Sequence, residues 1–141
     1  LTAAVATLGL AIAGYLTAVH YAGAEPACFI AHGCAVVQHS AYAKLAGVPV
    51  AVLGLATYAA IIAALLRDTE TARTAAAAIA LTGAGFSGWL TYVEVARLHA
   101  ICAWCVASAG CMTALAVLCA IRLVSPPRSP HPVPPGAVRA S

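Results

Sequence analysis

Charge is what this chain has least of. Seven Lys and Arg and four Asp and Glu make up 8% of its 141 residues, where soluble domains carry about a quarter. That scarcity excludes an ordinary water-solvated surface. It also argues against nucleic acid as a partner, because the seven basic residues are scattered between apolar stretches and form no patch or stripe. No polar stretch is long enough to make a separate soluble domain. Motifs for haem, iron–sulfur or flavin binding are missing too, so any redox chemistry must use the side chains or a diffusible carrier.

What is present is hydrophobic. Apolar residues make up 63% of the chain and its mean hydropathy is +0.96. Four apolar runs stand out, Leu1–Tyr21, Val48–Leu66, Ala75–Ala96 and Cys102–Val124, each near the roughly 20 residues that span a bilayer. A secretory signal would be one short run followed by a polar mature chain, which does not fit four in succession. The expected fold is an all-α membrane protein: a four-transmembrane-helix bundle with a long outer loop and a short interfacial helix. Residues 1–124 form this domain. Residues 125–141 hold six of the eight prolines and are expected to be a disordered, proline-rich cytoplasmic tail.

With four spans, both termini and the short connection 67–74 share one side. That side carries Arg67, Arg73, Arg122, Arg128 and Arg139, against Lys44 and Arg97 on the other. The positive-inside rule then places the termini in the cytoplasm and the segments 22–47 and 97–101 outside a cell (inner, cytoplasmic) membrane. The long outer segment holds Cys28, Cys34, His32, His39, Glu25 and Lys44, and long loops in compact proteins usually carry function. Within it 40–45 has helical potential, and Gly47-Val48-Pro49 turns the chain into the second span. Ala84 and Gly88, four apart in the third span, suit close helix packing.

Six cysteines fall into three kinds by position. Cys28 and Cys34 lie in the outer loop. Cys102 and Cys105 form Cys-Ala-Trp-Cys at the outer mouth of the fourth span, and Cys111 and Cys119 lie inside that span. At 100° and 1.5 Å per residue, Cys111 is turned about 180° from Cys102, and Cys119 lies about 21 Å deeper than Cys105. Both read as small buried hydrophobes.

A Cys-x-x-Cys opening a helix has a chemical use. Free N–H groups and the positive dipole end favour a thiolate, and a spacing of three lets the sulfurs bridge. Such a pair cycles between dithiol and disulfide. Alone it is also half a zinc site, which the four outer cysteines with His32 would complete, and the loop pair is also a plain staple for a long loop. Two pairs on one small outer surface favour a relay, in which the loop pair meets a soluble dithiol and passes electrons to the helix pair. By elimination, the acceptor is a lipid-soluble quinone between the helices beside Cys105.

Glu94 and His99 flank that pair. An ionisable group at membrane depth is a functional candidate, and an imidazole titrates near neutral pH. Both are therefore candidates for the cofactor pocket and for handling protons, although Glu94 is also near enough to the interface to meet water. His20 and His39 read as packing groups. Trp104, Trp89, Tyr92 and Tyr21 read as an aromatic belt.

Taken in order, Tyr15-Leu16-Thr17, His20-Tyr21, Cys28 and Cys34, Ser40, Gly47-Val48-Pro49, Gly54 with Tyr58, and Cys102-Ala103-Trp104-Cys105 resemble the bacterial homologues of vitamin K epoxide reductase. The likeness runs from Leu1 to about Val124. It implies four helices around a quinone, a catalytic set of Cys28, Cys34, Cys102 and Cys105, and electrons taken from a thioredoxin-like partner. Cys105 would then stand beside the quinone, Cys102 would exchange with the loop, and Ser40 would belong to a lid over the pocket. The resemblance also suggests that Cys34 faces the partner and Cys28 meets Cys102.

Two departures matter. Many bacterial members carry a fused thioredoxin-like domain after the last helix, where this chain has a proline-rich stretch, so a separate extracytoplasmic partner is expected. The Asn and Tyr expected to hold vitamin K in the animal enzyme correspond here to Val50 and Ala109. Neither side chain can hydrogen-bond a quinone, which favours ubiquinone or menaquinone and disulfide formation over epoxide reduction. Epoxide or quinone reduction for its own sake, and a non-catalytic metal-binding or structural membrane protein, are the competing readings.

Overall fold

A computed structural model of the chain describes residues 1–30 and 32–125. Among the described residues are five α-helices: α1 (Thr2–Ala22), α2 (Cys34–His39), α3 (Val50–Arg67), α4 (Glu70–Val93) and α5 (Ala103–Val124). All but α2 are long and apolar enough to cross a membrane, with α4 continuing through a π-helical turn, Glu94–Leu98, to complete the third span. This is a multi-pass membrane protein. The four spans close a ring in which α1 packs on α3, α3 on α4, α4 on α5 and α5 on α1.

The helix ends are set by local chemistry. Gly23 adopts a left-handed conformation (φ 64°) and returns its N–H to the last turn of α1, a geometry open to glycine without a Cβ clash. Pro49 caps α3, where it needs no N–H donor. The Thr69 hydroxyl accepts the Ala72 N–H at 3.2 Å and Glu70 stands in the first turn, both favourable at a positive helix end. That cap starts α4 five residues before the apolar run Ala75–Ala96. The expected connection 67–74 therefore shrinks to Asp68 and Thr69. Asp68 there accepts from Arg73 (3.0 Å) and Arg122 (2.9 Å), tying the turn to the end of α5.

With lipid outside, the helices have no reason to be polar on their outer faces, and Leu8, Leu81, Val117 and Ile121 are all exposed. Small residues bring the backbones together instead. Ala76, Ala77 and Ala80 give α4 an inward face, meeting Leu115, Ala116 and Cys119 of α5. Closest of all is α1 on α3: a Cβ on Gly9 would occupy the space of the Tyr58 ring. Fully buried Tyr58 donates its hydroxyl to the Ser108 carbonyl at 2.8 Å. Of the expected Ala84–Gly88 pair, Ala84 packs on the core while Gly88 faces open space.

One end of the bundle carries residues 23–49. A short helix is present there, but it is α2, starting at Cys34 rather than at Ser40. Ser40 is extended and donates its hydroxyl to the Val37 carbonyl at 2.7 Å, which ends the helix. Only Ala41–Ala43 of the predicted stretch is helical, as a 3₁₀ turn. Lys44–Leu45 (β1) pairs instead with Val48–Pro49 (β2), in a hairpin whose central Ala46 and Gly47 both have positive φ, as primed two-residue turns require. Of the predicted tail, everything beyond Ser125 lies outside the described residues.

Candidate active site

Four sulfurs gather at the loop end. Cys28 and Cys34 form a disulfide, with Cα atoms 6.2 Å apart, while Cys102 and Cys105 are free thiols. Cys34 and Cys102, at 1% and 0% exposure, belong to one buried cluster with Val37, and Cys28 and Cys105 pack against it. Cys28 is only partly buried. Of the loop pair, Cys28 is therefore the more exposed member, and Cys34 the one that shares a buried cluster with Cys102.

Three features fix this meeting. Gly33 lies so close to the 100–102 segment that a Cβ on it would stand 2.5 Å from the Ile101 nitrogen; only a glycine lets the backbones touch. Trp104, between the two helix cysteines, donates its indole N–H to the Ala27 carbonyl at 2.7 Å. Tyr15 of α1 lies 5.0 Å from the Trp104 ring and its hydroxyl accepts the Ala27 N–H at 3.0 Å. Ala27 is thus gripped on both sides immediately before Cys28. Trp104 is therefore a fastener for the loop and not simply part of an aromatic belt.

Cys102 caps α5, its sulfur accepting the Cys105 N–H at 3.3 Å. It precedes the spanning segment Ala103–Val124, and hydrogen bonding from the Cys105 thiol, helped by that N–H, holds its own thiol below the ordinary range despite burial. Cys111 and Cys119 stay apart from the site, Cys119 in the helix core and Cys111 against it.

Cys105 opens onto a cavity of about 150 Å³ between the helices. Its wall is mostly apolar, with Leu16, Val50, Leu53, Phe86, Leu90 and Met112, and Gln38, Ser40 and Glu94 are among its polar residues. Such a lining fits a flat apolar ring carrying two carbonyl oxygens. Ser40, in the loop after α2, is one of the residues lining the cavity. Glu94 is 4% exposed, and its carboxylate accepts the Cys102 N–H at 3.1 Å.

His99 is not part of the wall. It is exposed and takes a left-handed conformation (φ 48°) to close the π-turn, after which the Ala100 N–H reaches back to the Glu94 carbonyl. His39 is exposed, and His20 meets the edge of Tyr21. Val50 lines the cavity and Ala109 does not. Among the described residues no three His, Cys, Asp or Glu side chains are grouped to hold a metal ion.

Sequence reasoning missed Gln38, whose amide nitrogen lies 3.8 Å from the Cys105 sulfur. A signal was available. Gln38 is four residues after Cys34, one helical turn along the same face, so a helix starting at Cys34 carries both residues toward the helix pair.

A sequence profile of the vitamin K epoxide reductase family matches residues 1–120. Among curated protein sequences none matches the chain. With four membrane-spanning helices, two cysteine pairs and a match over most of its length, the chain is a membrane oxidoreductase of disulfide chemistry and belongs to the vitamin K epoxide reductase family.

Proposed function

We propose that the protein is a quinone-linked thiol oxidase that reoxidises a thioredoxin-like partner outside the cytoplasm. One observation carries the reading: buried Cys34 and Cys102 share a cluster, while Cys105, one turn beyond Cys102, opens onto an apolar cavity among the helices. The two pairs thus connect an accessible sulfur, Cys28, to a lipid-side pocket.

The exchange balances at every step. The partner's dithiol reduces Cys28–Cys34 and leaves as a disulfide. The Cys34 thiolate attacks Cys102 of a Cys102–Cys105 disulfide, releasing the Cys105 thiolate. Cys28 then attacks Cys34, which restores the loop disulfide and frees Cys102. Two electrons have moved from the loop pair to the helix pair, and a loop disulfide beside two free helix thiols is the product of that transfer. A quinone bound in the cavity supplies the acceptor for two electrons and two protons.

The distribution of arginines supports cytoplasmic termini and an outer-facing relay. Apolar Val50 on the cavity wall offers no side-chain hydrogen bond to hold an epoxide-bearing ring, which supports disulfide formation at the expense of a membrane quinone, ubiquinone or menaquinone, over epoxide reduction. A zinc site is disfavoured because Cys28 and Cys34 are spent in a disulfide.

The test is quinol formation by the purified protein in detergent, supplied with a reduced thioredoxin-like protein or with dithiothreitol. Cys105→Ala should abolish turnover with either donor, and Cys34→Ala should abolish it with the protein donor alone. No quinol from the unaltered chain would overturn the reading. Epoxide turnover with dithiothreitol but none with the protein donor would favour the epoxide reductase, and static cysteines a structural role.

A further inference from the structure

Glu94 is the one buried carboxylate among the described residues; Glu25, Asp68 and Glu70 are exposed. The ion pairs among those residues join Arg73 and Arg122 to Asp68, and Glu94 has no cation beside it. A carboxyl group at membrane depth is expensive to retain, and its surroundings indicate its use. It accepts the Cys102 N–H and stands on the wall of the same cavity as Cys105. The backbone is reshaped at this point, α4 widening into a π-turn that begins at Glu94 and closes on left-handed His99. Single π-turns of this kind concentrate at functional positions.

We propose that Glu94 is the proton carrier of the helix pair, taking protons from the Cys102–Cys105 dithiol and delivering them into the cavity. This rests on the oxidase reading. Oxidation of the pair breaks two S–H bonds, forms one S–S bond and releases two electrons and two protons. The quinone takes both electrons and both protons, and Glu94 passes the protons one at a time, ending as the carboxylate it began. The Cys102 proton in particular has no solvent route of its own, because Cys102 is fully buried. The other titratable groups on that wall are Tyr42 and Tyr58, the latter committed to Ser108. Gln38, from α2, does not titrate, and Arg97 and His99 of the same turn are exposed.

The discriminating variant is Glu94→Gln, whose amide oxygen still accepts the Cys102 N–H but cannot take a proton. Two readouts are needed. The first is the pH profile of Cys105 alkylation in the reduced protein, followed by peptide mass spectrometry, which requires no quinone. The second is the single-turnover rate of quinol formation by pre-reduced protein. The proposal expects Glu94→Gln to displace the alkylation profile and slow the single turnover about 10²-fold, the usual scale for a positioned acid–base group, with Glu94→Asp recovering part of both. A Gln variant with an unchanged profile and a rate within about twofold of the native chain, well short of that scale, would reduce Glu94 to a cap for the Cys102 backbone and overturn the proposal. If Glu94→Gln does not fold, infrared difference spectra of the native chain decide: a glutamic carboxyl band that changes when the pair is reduced supports the proposal, and a silent one overturns it. Failure of the native chain to reduce quinone would sink the oxidase reading, yet the alkylation profiles would still judge Glu94.

Discussion

The indole N–H of Trp104 is bonded to the carbonyl of Ala27, 2.7 Å away. Trp104 stands between the two helix cysteines and Ala27 immediately precedes Cys28, so one hydrogen bond fastens one redox pair to the other. Tyr15 completes the clamp from α1. The spacing of the Cys-x-x-Cys motif therefore also delivers the side chain that holds the loop in place.

Replacing Trp104 with Phe keeps a ring against Tyr15 but removes the donor. The lost hydrogen bond is worth about 1 kcal/mol, so electron transfer from the loop pair should slow roughly fivefold, while turnover driven by dithiothreitol at the helix pair stays close to native. Stopped-flow measurements with the two donors separate these outcomes, and equal slowing with both would mean that Trp104 acts on the helix pair itself.

Gly33→Ala should be more damaging. Its Cβ would meet the Ile101 backbone at 2.5 and 2.7 Å, and backbone cannot rotate away as a side chain can. The loop must lift, carrying Cys34 away from Cys102. A displacement near 1 Å is enough for a loss of about 10²-fold, read as turnover with a protein donor, again with dithiothreitol turnover retained.

The parts of this molecule fixed by strong local signals were legible in the sequence. Four apolar runs mark four helices because lipid leaves the backbone no alternative to intrahelical hydrogen bonds. The grouping of Cys28, Cys34, Cys102 and Cys105 followed from spacing and from the order of motifs. What stayed hidden depends on contacts between distant segments. Burial of Cys34 rather than Cys28 comes from Gly33 lying on Ile101, a contact between residues 68 apart in the sequence. The start of α2 at Cys34 depends on the hydroxyl of Ser40 ending that helix and on a hairpin claiming Lys44 and Leu45. His99 reads as a site residue by its type and place, but the π-turn directs it outward and keeps Glu94 in.

Asp68 gives a prediction with a definite sign in pH. Its hydrogen bond from Arg73, and then that from Arg122, hold its carboxyl below the usual aspartate range. A lowered value in the folded state means that the pair contributes stability above about pH 4, the value for a free aspartate, and loses it as pH falls through the lowered one. Asp68 sits at φ 44°, a left-handed conformation that Asn tolerates well. Asp68→Asn should therefore lower the melting temperature slightly at neutral pH and leave it unchanged in acid. An equal difference at both pH values would show that the charge is not what matters.

The account depends above all on Cys34 and Cys102 being the sulfurs through which the two pairs communicate. Two double variants test this directly: Cys28→Ser with Cys105→Ser, which leaves Cys34 and Cys102, and Cys34→Ser with Cys105→Ser, which leaves Cys28 and Cys102. After mild oxidation in detergent, peptide mapping should find a Cys34–Cys102 disulfide in the first protein and no Cys28–Cys102 disulfide in the second. The reverse pattern, or no bridge in either, would contradict a relay built on the buried pair.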